Sequence, residues 1–240
     1  MELTRDNWTQ SDYNEFVEYL KTLADEKYRQ FSDGLVPGAD LSIGIRMPIV
    51  RAIAKDISKG NYAEFLRCAK GKYREEVILH GLVMTLIKCD YPQLIEHIKE
   101  YANMVISWDT CDVVSFKGLK KYLPEMREDI EYFIYNKNPW AVRYGFKILM
   151  DFYLTDEYID MVLAYVNSVN SDFYYVQMMQ AWLVATAAAK QRDKTLEFLK
   201  NNNLNAATQN MAISKIRDSF RISKEDKELA KNLKKPLTTP

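Results

Sequence analysis

The stretch SWDTCD, residues 107–112, sets Trp108 four residues before Asp112. In a helix that spacing projects the indole and the carboxylate from one face, one turn apart. An indole face attracts cations through its quadrupole, by about 0.5–2 kcal/mol depending on desolvation. A carboxylate beside an anomeric carbon stabilises oxocarbenium character. Two more tryptophans recur in similar settings, Trp140 in NPWAVR and Trp182 in MQAWLV, and Arg143 follows the first of them. Arginine can clamp a phosphate through two nitrogens at once.

These side chains suit a planar, cationic substrate joined to a sugar phosphate. A base alkylated on a ring nitrogen already carries positive charge and leaves its sugar as a neutral molecule. Its departure needs no strong general acid; the protein must stabilise the sugar cation and position water. Packing explains the same residues differently. Tryptophans at helix starts often fill cores, and an aspartate in a first turn often complements the helix dipole.

The elements that must position these groups are helices. Only eight glycines and seven prolines punctuate 240 residues, which disfavours many short strands. Asn61 with Glu64 resembles a capping box, Asn138-Pro139 an N-cap with a first-turn proline, and Asp172 and Ser107 further N-caps. Ser107 is expected to start a helix through WDTCDVVSFKGLKKYL. Tyr73, Trp108, Trp140 and Tyr174 open successive longer helices at intervals of 35, 32 and 34 residues. Shorter amphipathic segments lie between: YPQLIEHIKEYAN, EMREDIEYFIYNK and DEYIDMVLAYVNSV. One short outer and one longer inner helix per unit is the pattern of an all-α solenoid of HEAT-like repeats with a concave groove. The expected organisation is one domain over 1–240, with 233–240 as a frayed tail. Asp112, Arg143 and Trp182 fall on successive inner helices and are expected to share one groove wall.

The net charge is zero but unevenly spread. Residues 46–74 and 190–240 each carry a net charge of +6, against −5 for residues 1–45. Such basic blocks fit a polyanion as well as they fit solvated helix faces. No apolar run approaches the roughly 20 residues that span a bilayer, and no apolar signal core follows Met1. Three unpaired cysteines suit reduced thiols and a cytoplasmic protein. His80 and His97 have no partner at ligand spacing and read as packing or surface, and Cys111 reads as a buried thiol. Gly34, Gly38 and Gly44, like AKGKY, fit no phosphate-binding fingerprint.

SWDTCD, followed by NPWAVRYGF and YYVQMMQAWLV at solenoid spacing, resembles the AlkD-like DNA alkylation repair family of HEAT-like DNA glycosylases. SIGIRMPIVRAIAK, YREEVILHGLV and NMAISKIRDSFRISKED resemble that family too, so the likeness runs from about Asp12 to Leu233. It implies excision of N3- and N7-alkylated purines from double-stranded DNA without flipping the base, unlike most glycosylases. It places the family's aromatic and catalytic carboxylate on Trp108 and Asp112, its arginine on Arg143 and its second tryptophan on Trp182. Lys117, Lys147 and Lys215 are expected to add contacts to phosphates. Ala185 stands where strongly active members carry a further basic residue, and FSDGLVPGADLSIGI matches their DNA-contacting loop poorly. No metal or organic cofactor is implied, and a monomer is expected. The alternatives are a non-catalytic protein binding distorted or branched DNA, and a protein-binding scaffold.

Overall fold

A computed structural model of the chain describes residues 1–36, 41–69 and 71–236. Gly38, within FSDGLVPGADLSIGI, and Lys70, within the first basic block, lie outside them, as does the end of the tail from 237. Among the described residues all regular structure is helical, with fourteen α-helices and no strand. No helix there is long and apolar enough to cross a membrane. By its contacts the chain divides into two compact units, residues 1–118 and 119–240.

The first unit holds α1 (Gln10–Thr22), α2 (Glu26–Leu35), α3 (Met47–Ile57), α4 (Tyr62–Cys68), α5 (Arg74–Leu86), α6 (Tyr91–Met104) and α7 (Trp108–Val113). Helix α5 is buried along almost its whole length and packs on α3, α6 and α7. Its N-cap is Tyr73, and Asn61 caps α4 by accepting the Glu64 backbone N–H at 3.3 Å. The Glu75 carboxylate, buried at the start of α5, accepts three backbone N–H groups, from Ile43 (2.9 Å), Gly44 (2.7 Å) and Ile45 (3.2 Å). Gly44 makes this possible: its φ is +89°, and a Cβ there would lie 2.5 Å from Arg29 Cβ.

The second unit holds α8 (Leu123–Ile134), α9 (Pro139–Phe152), α10 (Ile159–Ser168), α11 (Tyr174–Lys190), α12 (Arg192–Lys200), α13 (Ala206–Asp218) and α14 (Lys224–Lys231). Here α11 packs on both α9 and α13, while α10 packs on α12. Helices two apart in sequence are thus neighbours, inner on inner and outer on outer, as in a solenoid of helical repeats. The repeat spacing is borne out: Trp108 and Tyr174 are the first residues of α7 and α11, and Trp140 is the second of α9.

Three local expectations are corrected. The helix from Ser107 does not run to Leu123; α7 ends at Val113, and one 3₁₀ turn follows at Lys117–Lys121. Val113 and Val114, then Ser115 and Gly118, have low helix propensity, and burial of Val114, Phe116 and Leu119 favours the extended connection. Asp172 does not cap α11; Phe173 holds the N-cap position, and its N–H is taken by Ser171 Oγ at 3.1 Å. Of the tail, the described start is held at Lys235. Lys235 Nζ donates to the Asn202 and Leu204 carbonyls at 3.1 and 2.6 Å, and the Lys235 backbone exchanges two hydrogen bonds with the Asn210 amide.

Candidate functional site

Helix α7 carries both members of the Trp108/Asp112 pair, each half-buried. Three contacts fix it. Tyr101 on α6, fully buried, donates its hydroxyl to the Thr110 carbonyl at 2.6 Å. Thr110 Oγ1 accepts the Ser107 backbone N–H at 3.0 Å. Trp108 Nε1 donates to the Leu35 carbonyl at 3.1 Å, which orients the indole. Burial first, then the neighbouring Cys111, Asp109 and Asp112, holds the Tyr101 phenol well above its ordinary pKa, so it remains a donor.

The two aspartates of SWDTCD have separate roles. Asp109 lies in the first turn, where a carboxylate complements the helix dipole. Its Oδ1 accepts the Thr110 N–H at 2.9 Å and the Ser107 hydroxyl, and its Oδ2 is 3.3 Å from Arg74 Nη1. Arg74 is buried and also reaches Asp33 Oδ1 at 2.6 Å. Asp109 is therefore the structural acid. Asp112 lies in the last turn, where free carbonyls make the helix end negative and disfavour a carboxylate. A cavity of about 190 Å³ opens beside Trp108 and Asp109, walled by Phe31, Leu35, Ile78 and Arg74.

In the second unit the tryptophans divide as well. Trp140 stacks on Tyr175 at 5.0 Å and meets Phe173 edge-on at 5.2 Å, so it is a packing residue. Trp182 is 41% exposed on α11. It borders a cleft of about 300 Å³ with Ala185, Thr186, Lys215, Ser219 and Arg221. Arg143, expected at a phosphate, is only 3% exposed, and its Nη1 donates to the Tyr175 carbonyl at 2.7 Å. Lys147 is buried too, with Nζ 2.6 Å from Asp151 Oδ2 on the same helix. Lys117 is exposed and Lys215 half-buried. Periodicity placed Arg143 and Lys147 on one face of α9 but carried no sign of the neighbours that cover it. Nothing in the spacing of the sequence marked Arg221, a single cation in a short loop.

Elsewhere, His80 is buried with Nε2 3.1 Å from Glu100 Oε1. None of the three cysteines forms a disulfide, and Cys111 is buried.

Helices that pack inner on inner and outer on outer define a helical-repeat protein. The family model for the DNA alkylation repair enzyme matches residues 16–220. The chain belongs to that family, which gives it a role in DNA alkylation repair with DNA as its substrate. The curated proteins contain no match to it.

Proposed function

We propose that this protein is a DNA glycosylase that hydrolyses the N-glycosidic bond of cationic N3- and N7-alkylated purines, acting as a cytoplasmic monomer. The C1′–N bond breaks with its electron pair leaving on the base, which departs neutral. Asp112 stabilises the oxocarbenium-like sugar and orients the water that attacks C1′, and the product is an abasic site. Trp108 and Trp182 pack against the lesion nucleotide, and Lys117 and Lys215 contact phosphates. Arg143, buried against the Tyr175 carbonyl, acts as a positioning residue for the start of α11.

The observation that carries this proposal is the position of Asp112. Asp109 supplies the helix-start carboxylate, so the second aspartate is left at an end of α7 where dipole electrostatics do not favour it. Asp112 stays half-buried rather than sealed in the core, one turn from Trp108 on the same helix, where a sugar could reach both side chains. The test is release of 7-methylguanine from methylated duplex DNA, wild type beside Asp112→Asn. Loss of release in the variant supports the assignment, and release undiminished in the variant refutes it.

A second reading is favoured by the burial of Arg143 and Lys147 and by Ala185 in the cleft beside Trp182. With fewer cations presented to phosphates, the protein would bind distorted or branched DNA without cutting the glycosidic bond. Wild-type protein that binds such DNA yet releases no base would establish it.

A further inference from the structure

The loop between α13 and α14 holds Phe220 fully out in solvent, with an exposure of 104%. This is not a loose segment that failed to find the core. Ile222, two residues on, is buried, and the Arg221 N–H is taken by Ser219 Oγ at 3.2 Å. Ser219 donates its N–H to the Ile216 carbonyl at 3.3 Å at the end of α13. Ser223 caps α14 through the Asp226 N–H at 3.0 Å. A five-residue connection pinned at both ends thus presents one phenyl ring outward.

The charges beside it are equally specific. Some cations nearby in the second unit are neutralised: on α12 Arg192 pairs with Asp226 and Lys200 with Glu197, and on α14 Lys231 pairs with Glu228. Lys215, Arg217, Arg221 and Lys224, which surround Phe220 in sequence, form no ion pair among the described residues. Two of them, Lys215 and Arg221, line the cleft of about 300 Å³ beside Trp182, with the hydroxyl of Ser219 between them in sequence. Asp218 is the carboxylate on that wall and pairs with neither. Unpaired cations with a hydroxyl suit a phosphodiester, and an outward aromatic ring suits the face of a base.

We propose that the α13–α14 corner is a nucleotide-holding site: Lys215 and Arg221 take a backbone phosphate, and Phe220 stacks on a base that has left its pair. The proposal rests on DNA being the substrate, but not on glycosylase chemistry. It adds Phe220 and Arg221 to the interface and assigns the corner a preference for unstacked over fully paired DNA. A protein partner docking its apolar side chain on Phe220 is the competing occupant.

The experiment is binding of the full chain to two fluorescent duplexes by anisotropy, one fully paired and one with a two-nucleotide bulge, across a salt series. Wild type should prefer the bulged duplex. Phe220→Ala should lose about tenfold on the bulged duplex and little on the paired one, a loss within the range for one base–aromatic stack, and Phe220→Trp should restore it. Lys215→Ala with Arg221→Ala should weaken both duplexes and reduce the salt slope by about 0.9 for each phosphate no longer neutralised. An unchanged thermal midpoint for Phe220→Ala excludes misfolding. Equal bulge preference in wild type and Phe220→Ala overturns the site. Salt-independent binding overturns the phosphate assignment and favours the protein partner. Excision undiminished in Asp112→Asn would refute the glycosylase and leave this site standing.

Discussion

Tyr101 and Thr110 are joined by a 2.6 Å hydrogen bond from the phenol to the backbone carbonyl, midway between Trp108 and Asp112. That bond ties α7, six residues long and too short to hold itself, to the buried face of α6. Gly81 on α5 lets the Tyr101 ring lie there, since a Cβ at 81 would come within 2.3 Å of Tyr101 Cε2. The candidate catalytic pair is thus positioned through a glycine two helices away. Tyr101→Phe should cost about 1–3 kcal/mol of stability, because the Thr110 carbonyl loses its donor. Gly81→Ala should cost about 1–3 kcal/mol through overpacking and displace the ring. Denaturant unfolding reads both, and single-turnover excision by Gly81→Ala should fall more than its loss of folded protein explains.

Asp109 and Asp112 should respond to the same isosteric change in opposite assays. Asp112→Asn keeps shape and removes charge, so excision should drop about 10²–10³-fold, the scale for losing one preorganised electrostatic stabiliser. The drop in excision should exceed whatever its change in thermal midpoint explains, because the variant keeps the shape of the side chain. Asp109→Asn should lower stability by about 1–3 kcal/mol by leaving buried Arg74 with a weakened partner. Paired melting curves and base-release assays on the two variants check the separation.

How far this site was legible follows from what each signal measures. Hydrophobic spacing is local, and it located the starts of α5, α7, α9 and α11 to within a residue. It did not foresee the break after Val113, because extended geometry at Val114 depends on the burial of Val114, Phe116 and Leu119 as well as on propensity. The Trp108/Asp112 spacing was visible, but the division of labour with Asp109 needed the position of Arg74, some 35 residues earlier in the chain. The burial of Arg143 was invisible for the same reason, since its partner is the Tyr175 carbonyl of the next inner helix. No motif or spacing singles out Phe220, and only its solvent exposure distinguishes it.

Glu75 organises the backbone ahead of α3. Its carboxylate receives the N–H groups of Ile43, Gly44 and Ile45, all at 3.2 Å or less. An amide oxygen cannot replace both carboxylate oxygens, and the amide NH₂ would face backbone donors. Glu75→Gln should therefore cost about 2–3 kcal/mol, measured by urea unfolding, with fast hydrogen exchange appearing first at residues 43–45.

Asp12 sets an acid limit for the first helix. Hydrogen bonds from the Thr9 hydroxyl and backbone N–H, with the Arg5 guanidinium beside it, hold its carboxyl down at about 2. A folded-state pKa below the unfolded one means stabilisation that is fully present above about pH 4 and lost as pH falls towards 2. Carbonyl-detected NMR titration should show Asp12 with a midpoint near 2, and Asp12→Asn should flatten the stability loss over that interval. A midpoint near 4 would show that the capping box of α1 does not hold in solution.

The two tryptophans of the second unit should reverse each other's phenotype. Trp140 stacks on Tyr175 and abuts Phe173, so Trp140→Ala removes ring packing that the surrounding helices cannot replace. It should cost about 1–3 kcal/mol, less than a fully buried aromatic would, and reduce DNA binding only as the folded fraction falls. Trp182 leaves 41% of its surface in solvent beside Lys215 and Arg221. Trp182→Ala should cost less stability than Trp140→Ala, while weakening DNA binding and excision together. Both would weaken because an indole packed on the lesion nucleotide serves ground and transition states alike. Urea unfolding and anisotropy on the two variants separate the roles. A Trp182→Ala protein that melts early but binds and cleaves normally would return that indole to the core and leave Trp108 as the one tryptophan at the substrate.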